Sequence, residues 1–109
     1  MQTEFEQKVW QQTRRIPPGK VITYAALARK VGFPHAARAV GNALNKSPGM
    51  PRVPCHRVVK SSGEVGGFAS GSRKKVSLLE KEGVVFEKGA KRKIDLNKFG
   101  VWLSSPTRH

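Results

Sequence analysis

Clusters of proline and glycine divide the first fifty residues into three short segments, and this spacing limits the fold more than any other feature of the sequence. Pro17-Pro18-Gly19 closes the first segment, because proline cannot donate to a helix and disfavours a helical conformation in the residue before it. The other breaks are Gly32-Phe33-Pro34 and the run 47–51, which contains two further prolines. The segments between the breaks predict three short helices.

Capping residues set the predicted ends of these helices. Thr3 with Glu6 three residues later is typical of a capping box, so the first helix is expected to run to about Arg15. Thr23 is the expected N-cap of the second helix, and Gly32 is expected to follow its last turn. The second and third helices are therefore predicted over 24–31 and from about 35 to 46.

The predicted third helix has two distinct faces. Apolar residues at core spacing line one of them, namely Ala36, Val40, Ala43 and Leu44. The opposite face carries cationic and amide side chains flanked by small residues: Arg38, Asn42 and Asn45, with Ala37, Ala39 and Gly41. Two short helices joined by a glycine-containing turn predict a helix-turn-helix. The pattern is a weak signal by itself, since arginine and asparagine are also ordinary on a solvated helix face.

The second half of the chain predicts shorter elements around a glycine-rich loop. Val58-Val59 fits either a buried strand or a turn of helix. Loop 61–71 lacks both the ending of a phosphate-binding P-loop and the strand–helix setting of a dinucleotide fingerprint. A helix is predicted over 73–82, with Ser72 as its N-cap and Gly83 after its end. The remaining predictions are a small hairpin made by 84–86 and 94–96, and a return of 99–103 onto the domain.

Together these elements predict a mainly α fold, a winged-helix-like helix-turn-helix DNA-binding domain with a small β-hairpin. The chain has 109 residues, which is the size of one domain. That single domain is expected to span 1–103, with a disordered tail over 104–109.

The charge of the chain is strongly basic and unevenly distributed. Twenty-one lysines and arginines stand against seven acidic residues, a formal net charge of +14. Between Glu6 and Glu64 there is no acidic residue at all. A solvated basic surface is the ordinary alternative, but ordinary surfaces intersperse both signs. The acid-free span therefore favours binding to nucleic acid or another anionic surface.

The compartment is predicted from what the sequence lacks. No stretch approaches the apolar length of a membrane span, and the first residues do not follow the plan of a signal peptide. An unpaired cysteine without a secretion signal favours a reducing interior. We therefore expect an intracellular protein, in the cytoplasm of a prokaryote or in a nucleus, with no membrane partner.

Cys55 is the sole cysteine, and it lies in the run Pro54-Cys55-His56-Arg57-Val58. One thiol makes neither an intramolecular disulfide nor a thiolate metal cage, so packing and reactivity remain. A lone cysteine is more often a packing residue. Here, however, a potential base follows it, and Arg52 and Arg57 are expected to stabilise its thiolate, the nucleophilic form. No metal and no cofactor are expected.

The order of these elements resembles the O6-alkylguanine-DNA alkyltransferases, over almost the whole span from Phe5 to Gly83. Four spaced segments carry the resemblance: Gly19 to Tyr24, Ala36 to Gly41, the cysteine run, and Leu78 to Gly83. The family implies DNA repair by irreversible transfer of an alkyl group, such as methyl, from guanine O6 to the protein's own cysteine. Such a protein is a single-use methylated-DNA–protein-cysteine methyltransferase, acting on double-stranded DNA that contains O6-alkylguanine.

The resemblance also implies roles for individual residues. Attack on a saturated carbon suits a thiolate, the softest strong nucleophile in proteins, which assigns Cys55. His56 is implied as the base, acting through a bound water because adjacent side chains rarely point at each other. Glu82 is implied as the acceptor that orients His56. Tyr24 is implied to hydrogen-bond the purine ring as negative charge develops there.

The implied DNA interface uses a helix-turn-helix in the minor groove and a base flipped out of the duplex. Arg38 matches the family arginine that fills the place of the flipped base. The other implied DNA contacts are Tyr24, Ala25, Ala36, Ala37, Gly41, Asn42 and Ser61. The implied pocket walls are Met50, Val58, Val65, Gly66, Ala69 and Ser70. A monomer that could bind cooperatively along DNA is expected.

Two departures from the family pattern and two alternatives accompany the resemblance. Ser47 stands where the family has a hinge asparagine, so it is predicted to tether the cysteine loop differently, and Ala69-Ser70 replaces a commoner serine-glycine pair. The length and C-terminal end are similar to alkyltransferase-like proteins, which bind O6-alkylguanine without repairing it. Those proteins typically replace the cysteine, so a retained Cys55 favours the transferase. A general basic helix-turn-helix regulator would leave the cysteine run unexplained.

Overall fold

The computed structural model describes residues 3–48, 52–66, 72–87 and 93–101. Its elements, in chain order, are α1 (Glu4–Arg14), β1 (Ile22–Thr23), α2 (Tyr24–Lys30), α3 (Ala37–Asn45), a 3₁₀ turn (Cys55–Arg57), β2 (Val58–Val59), α4 (Ser72–Lys81), β3 (Phe86–Glu87), β4 (Lys93–Ile94) and α5 (Leu96–Phe99). Within the described part of the chain, no helix combines the length and the apolar character needed to cross a membrane.

The first helix begins at the predicted capping box. The Thr3 hydroxyl accepts from the Glu6 backbone N–H at 3.0 Å, and the Glu6 carboxylate accepts from the Thr3 N–H at 3.1 Å. The helix buries Val9 and Trp10. The indole N–H of Trp10 donates to the carbonyl of Ala43 at 2.8 Å. This bond joins α1 to the middle of the helix-turn-helix.

Helices α2 and α3 form the predicted helix-turn-helix. Thr23 caps α2, because its hydroxyl accepts from the Ala26 N–H at 3.0 Å, and Gly32 follows the helix at a positive φ of 94°. The third helix begins at Ala37, two residues later than expected. Its entry is a tight turn in which the Ala36 N–H donates to the Phe33 carbonyl, so His35 remains outside the helix.

Two short sheets complete the fold. Strands β1 and β2 pair in parallel, with Ile22 opposite Val58, so Val58-Val59 is a buried strand and not a helical turn. Strands β3 and β4 form the antiparallel hairpin. The hairpin ends earlier than predicted, because the Asp95 carboxylate accepts from the Asn97 N–H and caps α5 there.

The end of the described chain packs against β1, as predicted for 99–101. The Val21 N–H donates to the Phe99 carbonyl at 2.9 Å, and the Val101 N–H donates to the Val21 carbonyl at 2.8 Å. Phe99 is buried with Ile94 in a second core cluster. The first cluster lies between α1, α2 and α3. The predicted tail, 104–109, lies outside the described residues, and the single-domain boundary at 103 stays a prediction.

Candidate active site

The site is built around the 3₁₀ turn that carries Cys55, between Pro54 and β2. The Cys55 N–H donates to the Val53 carbonyl at 2.8 Å, which fixes the start of the turn. The side chain is half-buried. Its Sγ lies 2.9 Å from the Ser47 hydroxyl oxygen and 3.7 Å from the Leu44 carbonyl oxygen. The end of α3 therefore lies against the sulfur.

Glu82, at the end of α4, is held by two neighbouring residues of the turn. The Arg57 guanidinium forms a two-point pair with it, with Nε 2.9 Å from Oε1 and Nη2 2.5 Å from Oε2. The same guanidinium donates from Nη1 to the Ile16 carbonyl at 2.7 Å. Nε2 of His56 lies 3.1 Å from Oε2 of Glu82. A bidentate arginine–carboxylate pair restricts the orientation of both partners, so Glu82 presents a fixed acceptor to the imidazole.

His56 is completely buried, and its contacts define its tautomer. A carboxylate can only accept, so Nε2 carries the hydrogen that points at Glu82. Nδ1 then has a free lone pair, and it is buried without a hydrogen-bond partner among the described residues. Burial is the largest influence on the pKa of His56 and lowers it, although Glu82 opposes this shift. The imidazole is therefore neutral near pH 7 and able to accept a proton at Nδ1.

The pKa values of Cys55 and Glu82 are shifted in opposite directions. Burial raises the pKa of the Cys55 thiol, and the hydrogen bond from Ser47 and the charge of Lys75 oppose that rise only in part. Burial would also raise the pKa of Glu82, but hydrogen bonds from Arg57 and His56 outweigh it and lower the pKa. The resting site thus pairs a neutral thiol with a neutral imidazole and an ionised Glu82.

Among the described residues, Lys75 is the cation whose charge lowers the pKa of the Cys55 thiol, a role that the sequence had suggested for Arg52 and Arg57. Arg52 is exposed, and the Arg57 guanidinium is occupied by Glu82 and Ile16. Lys75 is completely buried on α4, and burial lowers its pKa to about 8. Its Nζ donates to the Tyr24 hydroxyl at 3.3 Å and lies 5.5 Å from the centre of that ring.

Sequence reasoning missed Lys75, although a signal for it exists. Lys75, Leu79 and Glu82 are spaced i, i+4 and i+7, so they fall on one face of α4. An apolar residue such as Leu79 is expected on the buried face of a helix, and Glu82 was predicted to reach the active site. A lysine on that same face is therefore placed in the interior.

Tyr24 opens α2 beside two glycines. A Cβ built on Gly41 would lie 3.9 Å from its ring, and one built on Gly66 would lie 3.4 Å from its ring and hydroxyl. Gly66 also has a positive φ of 76°, so a side chain there would be strained as well as crowded. Burial raises the pKa of Tyr24. Tyr24 therefore remains a protonated donor at pH 7.

The structure places the other predicted residues in three groups. The predicted DNA contacts Arg38, Asn42 and Ser61 are exposed, and Ala25, Ala36, Ala37 and Gly41 are partly exposed. Of the predicted pocket walls, Gly66 lies against Tyr24, whereas Val58 and Val65 are buried in the core. Met50, Ala69 and Ser70 lie outside the described residues. No three His, Cys, Asp or Glu side chains form a metal-binding group in the described ranges.

The geometry defines a helix-turn-helix domain whose third helix leads into a buried cysteine–histidine–glutamate site. The family model for the "6-O-methylguanine DNA methyltransferase, DNA binding domain" matches residues 4–84, which include every described residue of that site. The chain therefore belongs to this family.

Curated relatives have the same family name. A methylated-DNA–protein-cysteine methyltransferase of Mycobacterium leprae is 48% identical over 80 residues, which are 73% of this chain and 48% of the relative. The protein of that name from Methanosarcina acetivorans is 46% identical over 81 residues, 74% of this chain and 52% of the relative. The chain spans about half the length of these relatives.

Two solved structures are similar in fold to this chain. Mycobacterium tuberculosis OGT in complex with DNA is 43% identical, with a TM-score of 0.72 over 75% of this chain and 51% of that one. S. pombe Atl1, in complex with damaged DNA containing O6-carboxymethylguanine, is 34% identical, with a TM-score of 0.82 over 97% of this chain and all of that one.

Proposed function

We propose that this protein repairs double-stranded DNA by transferring an alkyl group, such as methyl, from guanine O6 to Cys55. The observation that carries the proposal is the buried network of His56, Glu82 and Arg57 beside a half-buried thiol. Burial of a histidine and an arginine costs stability unless both are paired. An inert packing cysteine would not need such a network beside it.

The reaction balances without a cofactor. The Cys55 proton passes through a water to Nδ1 of His56, and the imidazolium is stabilised by Glu82. The thiolate attacks the alkyl carbon, so a sulfur–carbon bond forms as the bond between that carbon and O6 breaks. Tyr24 donates a proton to the leaving guanine, and the proton held by His56 replaces it through solvent. The thioether has no good leaving group, so each protein acts once.

Tyr24 is oriented to assist the leaving guanine. Lys75 donates to the Tyr24 oxygen, which leaves the phenolic hydrogen available for another acceptor. A purine nitrogen that gains negative charge is a suitable acceptor. A cation behind the hydroxyl strengthens it as a donor in that step. Lys75 therefore stabilises both the developing thiolate and the departing base.

The exposed face of α3 is proposed to hold the duplex in the minor groove. Arg38 lies near the first turn of the helix and is exposed, so it can enter the stack where the base has left. Small residues at Ala37 and Gly41 allow close approach in a narrow groove. The acid-free basic span supplies phosphate contacts, so affinity falls with salt and carries little sequence preference. The protein is proposed to act as a monomer.

Intact-protein mass spectrometry tests the transfer. The protein is mixed with a duplex containing O6-methylguanine, and we expect a gain of one methyl group that maps to Cys55. The matched duplex with unmodified guanine should give no gain, and Cys55→Ser should give none with either duplex. A methyl group on another residue, or an unchanged mass after prolonged incubation, would overturn the proposal.

A lesion sensor without transfer is the second candidate. The observation that favours it is the likeness to S. pombe Atl1, which extends over 97% of this chain and the whole of that one. A sensor should bind the O6-methylguanine duplex more tightly than its unmodified control while its mass stays unchanged. Retention of Cys55 with the His56–Glu82 pair favours the transferase.

A further inference from the structure

The hydroxyl of Ser47 lies against the reacting atom of the site. Ser47 follows the end of α3, where its N–H donates to the Leu44 carbonyl at 3.1 Å. Its Oγ lies 2.9 Å from the Cys55 Sγ. We propose that Ser47 is a catalytic residue that donates a hydrogen bond to the Cys55 thiolate as it forms. Its effect on repair rests on the alkyl transfer proposed above.

The direction of this hydrogen bond follows from the second contact of the sulfur. The Leu44 carbonyl, 3.7 Å from Sγ, can only accept. In the neutral thiol the single S–H hydrogen can point at that carbonyl, and the Ser47 hydroxyl then donates to Sγ. In the thiolate the S–H hydrogen is gone and the carbonyl contact is lost. The Ser47 bond remains and becomes charge-assisted, which makes it stronger.

The other charged and titratable groups near the sulfur come from three elements. Lys75 acts on it from α4 and Tyr24 from α2. His56 adjoins it in the turn, but its Nε2 is directed at Glu82. Ser47 places its hydroxyl oxygen within hydrogen-bond distance of Sγ. Lys75 contributes its charge, and Ser47 contributes a direct hydrogen bond.

A donor that bonds the thiolate more strongly than the thiol lowers the pKa of the thiol. Ser47 thus offsets part of the rise that burial imposes on Cys55. A hydrogen bond to a charged group is worth enough to shift the pKa by about one unit. Loss of the hydroxyl should then reduce the thiolate fraction near pH 7 by about tenfold.

Iodoacetamide alkylation tests this role without DNA, and Cys55 is the sole cysteine that can react. The rate is measured against pH by mass spectrometry for the wild type, Ser47→Ala, Ser47→Thr and the control Ser77→Ala, an exposed serine on α4. We expect Ser47→Ala to raise the midpoint by about one pH unit and to slow alkylation about three- to fourfold at pH 7, because the greater nucleophilicity of the thiolate offsets part of its tenfold lower fraction. Ser47→Thr should restore the midpoint, and Ser77→Ala should not move it.

The upper limb of the pH profile separates this role from a structural one. A thiolate of higher pKa is intrinsically more nucleophilic, so Ser47→Ala should equal or exceed the wild-type rate once both thiols are ionised. An unchanged midpoint in Ser47→Ala, or a loss of rate that is equal at every pH, would overturn the proposal. A shifted midpoint in a protein that never accepts methyl from DNA would support Ser47 and reject the transferase.

Discussion

The Cys55 site and the exposed face of α3 are joined through the end of one helix, yet they are built in opposite ways. In the site, His56 and Lys75 are both 0% exposed. Each forms a hydrogen bond with another side chain, His56 with Glu82 and Lys75 with Tyr24. On the face of α3, the polar side chains of Arg38 and Asn42 are exposed to solvent. Buried polar groups depend on their neighbours, whereas exposed ones act nearly independently.

This difference predicts different responses to solution conditions. The site should respond to pH, because its chemistry depends on the protonation of Cys55 and His56. The face of α3 should respond to salt, because screened phosphate contacts dominate its binding. The free-energy effects of substitutions in the site should be non-additive, and those of substitutions on the face of α3 should be additive.

Glu82→Gln should cause the largest loss, slowing transfer by a factor on the order of 10²–10³. A neutral amide stabilises an imidazolium poorly and leaves the Arg57 guanidinium without its charge partner. The free energy of unfolding should fall by roughly 2–3 kcal/mol, because a mostly buried ion pair is broken. Single-turnover transfer and urea unfolding measure the two effects. The control Glu80→Gln, an exposed carboxylate on the same helix, should change neither by much.

A double-mutant cycle then tests the predicted coupling. Arg57→Met and Glu82→Gln should together destabilise the protein by at least about 1 kcal/mol less than the sum of the single changes. Glu82→Gln and Arg38→Ala should add in their effects on duplex repair. Additivity between Arg57 and Glu82 would show that the site is not the coupled network described here.

Arg38→Ala should have the next largest effect, and only on DNA. We expect repair of a duplex to slow by roughly tenfold to hundredfold, because the flipped base loses the group that holds its place. Reaction with free O6-benzylguanine should be unchanged, since no base needs to be flipped. Arg15→Ala, an exposed arginine after α1, is the matched control. Equal slowing with both substrates would remove the base-flipping role.

The two regions also differ in how far the sequence predicted them. The faces of α3 follow from helical periodicity alone, and Val40 and Ala43 are buried where the apolar stripe predicted. The capping box of α1 and the cap of α2 are local signals and were equally readable. Local patterns specify such features because the interacting residues are three or four positions apart.

The charge network of the site needed the structure. Arg57 contacts Glu82 across 25 positions of sequence, and Lys75 contacts Tyr24 across 51. No local pattern encodes such pairs. The resemblance supplied His56 with Glu82, whereas the residues next to Cys55 in sequence pointed to Arg52 and Arg57 as the nearby positive charge. The direct contact between Ser47 and the sulfur was also unforeseen, since Ser47 was predicted only to tether the loop.

Lys75→Met should make the protein more stable and less active. Burial holds the pKa of Lys75 at about 8, against 10.5 for a free lysine, so a buried charge opposes folding at neutral pH. Met keeps the shape of the stem without that charge, and the free energy of unfolding should rise by roughly 2 kcal/mol at pH 7. Transfer should slow about tenfold, because the thiolate and Tyr24 lose their nearby cation. Lys74→Met, an exposed neighbour, is the control.

The pH dependence of that stability difference has a defined sign. Between pH 8 and 10.5 the unfolded chain holds more protons on this lysine than the folded protein does. The contribution of Lys75 to the free energy of unfolding of the wild type therefore becomes more favourable as the pH rises across that window. The advantage of Lys75→Met should be greatest below pH 8 and should vanish near pH 10.5. Because Lys75 also lowers the pKa of Cys55, the same comparison is repeated in a Cys55→Ser background, where the difference reports on Lys75. A constant advantage would contradict the assignment.

Thr23→Ala should have the smallest effect. It tests whether the N-cap of α2 stabilises both the Cys55 site and the helix-turn-helix. Thr23 caps α2, precedes Tyr24 and pairs with β2 beside the cysteine turn. Loss of the cap should cost about 1 kcal/mol of stability, as should Thr3→Ala at the corresponding position of α1. Only Thr23→Ala should also slow transfer, by a few fold and to the same extent with duplex and free base, because Tyr24 serves both reactions. Chemical denaturation measures the stability of the two variants, and single-turnover kinetics measures their transfer rates. A transfer rate reduced only with the duplex would mean that Tyr24 acts in DNA binding at the face of α3 and not in the pocket.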